Sequence, residues 1–231
     1  MQASELEKNY QQVCQRIHQA CQQFNRPIDS VQLLAVSKTK PISAIETISQ
    51  IGQVAFGENY VQEMAEKQLA HPELEWHFIG PLQSNKSKII ATHANWMHSL
   101  DRIKIAKRLS EQRPQTLPPL QTLLQVNINN EATKSGFSFA ELSQAVNDIS
   151  QLPSLELRGL MAIPQATDDV SQQRANFAQL RQALEQLQVE FPELKLDQLS
   201  MGMSGDLEAA IAEGATIVRI GTDIFGARNY S

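Results

Sequence analysis

From residue 33 onward the sequence alternates between short apolar runs and longer amphipathic segments, and this alternation strongly limits the folds open to the chain. Short apolar runs bounded by turn residues are typical of buried strands, whereas longer segments with apolar residues three and four positions apart are typical of helices. A strand, a helix and a further strand in succession give parallel strands. The sequence therefore predicts an α/β protein.

Eight strands are predicted, and helical segments separate them. They cover residues 33–38, 53–56, 75–79, 95–98, 120–127, 156–163, 198–201 and 215–220. Eight such units fit a closed (β/α)8 TIM barrel at the small end of its size range. The alternative is a doubly wound open sheet, which would favour a glycine-rich turn after the first strand. Residues 37–40 (SKTK) contain no glycine, and we therefore expect the barrel.

A further amphipathic helix is predicted over residues 4–24, before the first strand. Because it precedes the alternating units, we expect it to be an addition to the barrel. No shift in composition marks a linker, so residues 1–231 are expected to form one domain.

Charge and apolar content exclude several classes of protein. The formal net charge of −5 argues against binding to nucleic acid, which needs a basic surface. No apolar run is long enough to span a membrane, and no secretory signal is evident at the start. Cys14 and Cys21 lie two helical turns apart, too far for a disulfide. We therefore expect a cytoplasmic protein with reduced thiols.

Lys38 stands where the first strand ends, in residues 33–41 (LLAVSKTKP). Partial burial of an amine disfavours its charged form and makes it a better nucleophile, as in lysines that form Schiff bases. Taken alone, this stretch more often gives a lysine that extends its charge into water.

Polar residues and glycines recur at the other predicted strand ends. In a barrel these ends surround the active site. They include residues 57–59, 80–86, 98–99, 127, 200–206 and 219–222. Any one of them is explained by a turn or a helix cap, but their concentration at strand ends predicts a binding site there.

The ends of the last two strands favour a phosphate ligand. Residues 200–206 (SMGMSGD) and 221–223 (GTD) each precede a helix, and small residues let a phosphate approach backbone N–H groups. Ser204 and Thr222 add hydroxyl donors. Plain helix capping by the same residues is an equal alternative. A lysine facing a phosphate site suggests pyridoxal 5′-phosphate (PLP), an aldehyde-bearing phosphate ester.

Several longer motifs resemble the pyridoxal phosphate homeostasis protein family, from about residue 6 onward. They are residues 35–41 (AVSKTKP), 56–63 (FGENYVQE), 76–86 (WHFIGPLQSNK), 158–161 (RGLM), 200–206 and 219–226 (RIGTDIFG). This family is similar to the barrel domain of alanine racemase and to the fold-type III decarboxylases. The resemblance implies a single-domain barrel that carries PLP as a lysine aldimine.

Matching positions imply seven cofactor-binding residues. Lys38 forms the Schiff base, Asn59 borders the ring, and Arg219 faces the pyridine nitrogen. The phosphate is bound by Ser204, Gly221 and Thr222, with Ser200 nearby.

The resemblance implies a protein of vitamin B6 homeostasis and of amino-acid and keto-acid balance, with no established catalytic activity. A cation at the pyridine nitrogen disfavours ring protonation and weakens the ring as an electron sink. Racemases of this fold use a tyrosine from a further domain, and this chain ends five residues after Gly226. Tyr10 and Tyr60 belong to predicted helices, and Tyr230 is terminal. We expect a monomer. PLP-dependent apoenzymes are the candidate partners that would receive its cofactor.

Two enzyme classes remain as alternatives. The first is a PLP-dependent amino-acid racemase or decarboxylase of fold type III. The second, a metal hydrolase, is weaker because His71, His77, His93 and His98 form neither an HxH nor an HExxH pattern. His77, between two aromatic residues, is interpreted as a core histidine, and no metal site is expected.

Overall fold

Eight parallel strands close into a barrel in the computed structural model, which describes residues 2–129, 131 and 134–227. Each strand pairs with its neighbours in chain order, and β8 returns to β1. The strands are β1 (Gln32–Val36), β2 (Ala55–Glu58), β3 (Glu75–Phe78), β4 (Trp96–Leu100), β5 (Leu120–Val126), β6 (Leu155–Ala162), β7 (Gln198–Ser200) and β8 (Ile217–Ile220). The predicted (β/α)8 barrel is confirmed, and the doubly wound sheet is wrong.

Helices surround the barrel, and one of them precedes it. They are α1 (Ala3–Gln23), α2 (Ile42–Ser49), α3 (Val61–Ala70), α4 (Ser87–His93), α5 (Ile103–Gln112), α6 (Leu142–Ser150), α7 (Val170–Glu190), α8 (Leu207–Ala212) and α9 (Thr222–Phe225). The predicted N-terminal helix is α1, which packs against α2, α8 and α9. No helix in the described part of the chain is long and apolar enough to cross a membrane.

The main apolar core lies between the strands and the helices, where Phe56, Trp76 and Phe78 are fully buried. The barrel interior holds smaller clusters. Leu34, Ala55 and Ile217 form one of these, and Trp96, Leu123 and Met161 form another. Because the interior is filled by side chains, the polar groups buried there must find hydrogen-bond partners within the protein.

Strand β2 begins two residues later than predicted, and this shift affects the site. The Gln53 side chain donates hydrogen bonds to the carbonyls of Leu33 and Ala55, and so it caps the start of the strand instead of extending it. Glu58 therefore becomes the last strand residue, and Asn59 follows directly at the carboxyl end.

Pairing of β1 with β8 joins the two ends of the barrel fold. Leu34 lies opposite Arg219, and Ala35 lies opposite Ile220. The residues that leave β1 are consequently neighbours of the residues that leave β8. Lys38 and Thr222 are brought to the same part of the rim by this register, although they are far apart in sequence.

Candidate cofactor-binding site

A cavity of about 300 Å³ opens at the carboxyl ends of β1, β2, β7 and β8. Its volume is at the lower end of the range of small-molecule pockets. The lining residues are Val36, Lys38, Lys40, Asn59, Ile79, Ile163, Met203, Ser204, Gly205, Arg219, Gly221, Thr222 and Gly226. Six of the seven residues predicted from the sequence line this cavity, and the exception is Ser200.

Lys38 leaves β1 in a tight turn. The N–H of Lys40 donates to the Ser37 carbonyl at 3.0 Å, and Thr39 has a left-handed backbone with φ of 63°. A β-branched residue is unusual in this region and needs support from its surroundings. The Glu63 carboxylate gives that support by accepting the Thr39 N–H at 2.6 Å.

A buried charge network holds the residue before Lys38. Lys67 Nζ lies 2.7 Å from Glu58 Oε1 and 2.7 Å from Glu63 Oε1, and it donates to the Ser37 carbonyl at 2.8 Å. The Ser37 hydroxyl also donates to Glu58 Oε1 at 2.6 Å. Burial raises the pKa of Glu58 to about 6, against the opposing effect of Lys67. The network thus fixes the backbone on both sides of Lys38.

Arg219 supplies a buried cation to the cavity wall. Its guanidinium donates to Ser200 Oγ at 2.8 Å and to the Ala162 carbonyl at 2.9 Å. Burial lowers the pKa of Arg219 to about 10, while the charge of Asp206 acts in the opposite direction. Within the described ranges, no carboxylate forms a salt bridge with this guanidinium. A ligand that presents an acceptor or a negative charge is therefore favoured beside Arg219.

Ser200 lies behind Arg219. It is fully buried at the end of β7 and does not line the cavity. Its hydroxyl contacts Arg219 Nη1 and also His98 Nδ1, at 2.8 Å. Any effect of Ser200 on a ligand in this cavity passes through Arg219.

The loop after β7 is held in a shape that requires glycine at position 202. Gly202 has φ of 95°, and a Cβ there would lie 2.5 Å from the Ala210 Cβ. Its carbonyl accepts the Arg219 N–H at 2.9 Å, and the Asp206 carboxylate accepts the Met203 N–H at 2.6 Å. The loop therefore carries Ser204 and Gly205 to the cavity wall on a fixed backbone.

Helix α1 joins the two loops predicted to bind phosphate. The Arg16 guanidinium donates to the Ser204 carbonyl at 3.1 Å and to Asp223 Oδ2 at 2.6 Å. It also pairs with Glu208 at 3.0 Å. One side chain of α1 thus connects the loop after β7 to the turn after β8.

Asn59 brings an unsatisfied acceptor to the cavity. Its Oδ1 is buried and has no hydrogen-bond partner among the described residues. The backbone of Asn59 packs closely against Gly80, where a Cβ would lie 2.1 Å from the Asn59 carbonyl oxygen. Buried acceptors of this kind are normally satisfied, so a ligand with a hydroxyl or N–H donor fits this wall.

The described tyrosines do not provide a base to the cavity. Tyr10 lies in α1 beside Cys14, and burial raises its pKa. Tyr60 precedes α3 and is 52% exposed. Neither lines the cavity, and Tyr230 lies outside the described residues.

The interpretation of His77 as a core histidine is confirmed. Both His77 and His98 are fully buried in the barrel interior and hydrogen-bonded to each other. In the ranges that the structure describes, no group of three or more His, Cys, Asp or Glu side chains is arranged to hold a metal ion.

Sequence reasoning missed part of the cavity wall and its support. Lys40 lines the cavity while its amine donates to the Phe225 carbonyl at 2.8 Å. The charge network of Glu58, Glu63 and Lys67 was also missed. The four-residue spacing of Glu63 and Lys67 in α3 was a visible signal, but it is common on exposed helices.

Comparison with models of known protein families shows which class of domain this chain contains. The alanine racemase N-terminal domain model matches residues 4–229. Curated relatives then define the family. Pyridoxal phosphate homeostasis proteins of Vibrio cholerae and Pasteurella multocida are each 53% identical to this chain, over 98% of it and 98% and 99% of their own lengths. The chain belongs to the pyridoxal phosphate homeostasis protein family.

Solved structures agree with this assignment. PipY of Synechococcus elongatus with PLP bound is 40% identical, with a TM-score of 0.78, over 85% of this chain and 93% of that one. PipY without PLP gives 42% identity and a TM-score of 0.80 over the same shares. An alanine racemase of Corynebacterium glutamicum, 15% identical with a TM-score of 0.73 over 98% of this chain and 62% of that one, shares the fold.

Replacement of Lys67 by Met tests the buried charge network. Loss of one partner leaves Glu58 buried without its cation, so we expect the free energy of unfolding to fall by about 3–5 kcal/mol at neutral pH. Because the pKa of folded Glu58 is raised to about 6, protonation favours the folded state, and the loss should shrink when pH falls from about 7.5 to about 5. Urea unfolding at both pH values measures this.

Arg181→Met is the matched control, because Arg181 and Glu185 form a more exposed pair with the same four-residue spacing, and the second contact of Arg181, to Glu213, is longer at 3.5 Å. Its effect should stay below about 1 kcal/mol at either pH. If Lys67→Met lowers the free energy of unfolding by as much or more at the lower pH, Glu58 does not have the raised pKa assigned to it.

Proposed function

We propose that this chain binds PLP through a Schiff-base bond to Lys38 and serves in PLP homeostasis in the cytoplasm. One observation carries the proposal. Lys38, the hydroxyl-bearing loops of Ser204 and Thr222, and the buried Arg219 line the same cavity. An amine, a phosphate-binding wall and a cation at one small cavity match the aldehyde, phosphate and ring nitrogen of PLP.

Lys38 is proposed as the covalent attachment point. Its Nζ would add to the aldehyde carbon, and one water molecule would leave as the carbon–nitrogen double bond forms. The turn held by Glu63 and the network around Ser37 restrict the backbone of this lysine, which reduces the entropy lost on attachment.

The loops after β7 and β8 are proposed to bind the phosphate. Ser204 and Thr222 offer hydroxyl donors, and the backbone at Gly205 and Gly221 has no side chain to block an approaching oxygen. Helices α8 and α9 have six and four residues, so we assign the binding to these local donors and not to a helix dipole.

Arg219 and Asn59 are proposed to orient the ring. A guanidinium can only donate, so Arg219 fits an unprotonated pyridine nitrogen. The side-chain amide of Asn59 lines the same cavity, and its N–H can donate to the ring oxygen. Ser200 is proposed to act indirectly, by holding Arg219.

A carrier or regulator is favoured over a fold-type III racemase or decarboxylase. A cation at the ring nitrogen disfavours the protonated ring that stabilises carbanions. In the described part of the chain, no tyrosine lines the cavity as a second base. We propose a monomer that supplies PLP-dependent apoenzymes. Incubation with L-amino acids followed by chiral analysis tests the enzyme alternative, and rapid accumulation of D-isomers would favour it.

Spectroscopy and chemical trapping test the attachment. The loaded protein is expected to absorb visible light and look yellow, because a protonated Schiff base of PLP is coloured. Borohydride reduction should fix PLP on Lys38, as read by peptide mass mapping. Lys38→Ala should abolish the colour, and Lys40→Ala is the matched control. Reduced PLP recovered on Lys40 or Lys86 instead would contradict attachment at Lys38.

Thermal unfolding tests binding independently of colour. A ligand that binds only the folded state adds about 2.7 kcal/mol at a hundredfold excess over Kd. For a chain of this length we expect added PLP to raise Tm of the PLP-free protein by about 5–11 °C. Inorganic phosphate at the same concentration is the control. Unchanged Tm at saturating PLP would argue against a binding role.

Replacement of both loop hydroxyls tests the phosphate wall. Each charge-assisted hydrogen bond contributes about 1.5–3 kcal/mol, so Ser204→Ala with Thr222→Val should weaken PLP retention by roughly one to a few orders of magnitude. The spectrum of the remaining bound PLP should change little. Ser150→Ala with Thr92→Val is the control, because each hydroxyl donates to a carbonyl of its own helix and neither residue lines the cavity.

Arg219→Glu should change the spectrum more than the affinity, the opposite of the double hydroxyl variant. An acid at this position favours a protonated ring nitrogen, so we expect a shifted spectrum and a smaller loss of affinity. Equal loss of binding with no spectral change in the Arg219 variant and in the double hydroxyl variant would place Arg219 in the phosphate wall.

A further inference from the structure

A chain of hydrogen bonds crosses the barrel interior from β3 to β8. Glu75 Oε1 lies 3.1 Å from His77 Nε2, and His77 Nδ1 lies 2.8 Å from His98 Nε2. His98 Nδ1 lies 2.8 Å from Ser200 Oγ, which accepts from Arg219 Nη1 at 2.8 Å. The two histidines and Ser200 are fully buried, whereas the Glu75 side chain is 32% exposed at the start of β3. The chain therefore links the far end of the barrel to the cavity wall.

The two end groups of this hydrogen-bonded series, Arg219 and Glu75, fix the direction in which its hydrogen bonds are donated. A guanidinium only donates hydrogen bonds, and an ionised carboxylate only accepts them. The hydrogen bond from His77 lowers the pKa of Glu75, which keeps that carboxylate ionised. Burial lowers the pKa of His77 and of His98, so each ring is neutral, with one donor and one acceptor nitrogen.

Only one set of tautomers satisfies every link. His77 Nε2 must donate to Glu75, which leaves its Nδ1 as an acceptor. His98 Nε2 then donates to His77 Nδ1, and its own Nδ1 becomes an acceptor. The Ser200 hydroxyl must donate its hydrogen bond to His98 Nδ1, so the lone pairs of Ser200 Oγ remain to accept from Arg219.

Both histidine rings also pack against Trp96. His77 stacks on Trp96 with ring centroids 5.4 Å apart, and His98 meets Trp96 edge-on at 6.0 Å. The Arg158 guanidinium lies 5.4 Å from the centroid of the Trp96 ring and pairs with Asp197 at 2.7 Å. The hydrogen-bonded series from Glu75 to Arg219 is thus held by packing as well as by its hydrogen bonds.

We propose that Glu75, His77, His98 and Ser200 are positioning residues that fix the Arg219 guanidinium against the ring nitrogen of the cofactor. Aligned hydrogen bonds polarise one another, so the charge of Glu75 strengthens Ser200 Oγ as an acceptor. The orientation of Arg219 then depends on a carboxylate at the opposite end of the barrel. This inference rests on the proposed function for its effect on PLP, but the tautomers belong to the protein alone.

Nitrogen NMR of the PLP-free protein tests the tautomers without any ligand. In protein labelled with 15N histidine, His77 and His98 should both be neutral and carry their proton on Nε2. An Nδ1–H tautomer at either ring, or a charged ring at neutral pH, would overturn the directional chain. Failure of PLP binding would leave this result unaffected, so the two proposals fail separately.

Removal of the terminal charge tests the coupling. Glu75→Gln keeps the shape but allows the amide to donate as well as accept, so His77 and His98 should show mixed tautomers. Bound PLP should show a shifted absorbance maximum and about two- to tenfold weaker retention, as expected when the hydrogen bond between Ser200 and Arg219 is weakened. Glu185→Gln is the control, because Glu185 lies on α7 outside the barrel interior and pairs with Arg181.

Ser200→Ala removes the link that contacts Arg219 and should give the same spectral shift, while Ser200→Thr restores the hydroxyl and the spectrum. Should Ser200→Ala fail to fold, the variant at the partly exposed Glu75 still decides the question. If Glu75→Gln has wild-type tautomers and an unshifted spectrum, as expected for the control Glu185→Gln, the proposal is overturned.

Discussion

Closure of the barrel by the pairing of β1 with β8 is the constraint on which the site depends. With Leu34 opposite Arg219, the chain leaving β1 meets the chain leaving β8. Lys38 and the turn at Gly221 and Thr222 therefore share one cavity, although the intervening chain runs through six other strands. An open sheet would leave these strands on opposite edges, with the lysine and the phosphate wall apart.

Buried charge and backbone strain are concentrated around this junction. The left-handed Thr39 and the buried pair of Glu58 and Lys67 adjoin the residue that carries the proposed attachment. Arg16 reaches the same region from α1. Buried ion pairs contribute little net stability because desolvation offsets their attraction. We therefore attribute to the Glu58–Lys67 pair the role of positioning the backbone next to Lys38. Strained or costly features of this kind are expected at functional sites.

The sequence was sufficient for the strand count, the closed barrel and most of the cavity wall, because apolar periodicity and strand ends are local signals. It was not sufficient for β2, where the Gln53 side chain displaced the start of the strand. The place of Ser200 behind Arg219 and the path from Glu75 through His77 also escaped prediction. Both depend on which side chains of β3, β4, β7 and β8 meet inside the barrel, and that is set by three-dimensional register.

A crystal structure of the protein loaded with PLP tests the central claim most directly. The account predicts continuous density from Lys38 Nζ to the cofactor, the phosphate against Ser204 and Thr222, and the ring nitrogen within hydrogen-bonding distance of Arg219. Cofactor density attached to another lysine, or a phosphate bound away from the loops after β7 and β8, would contradict it.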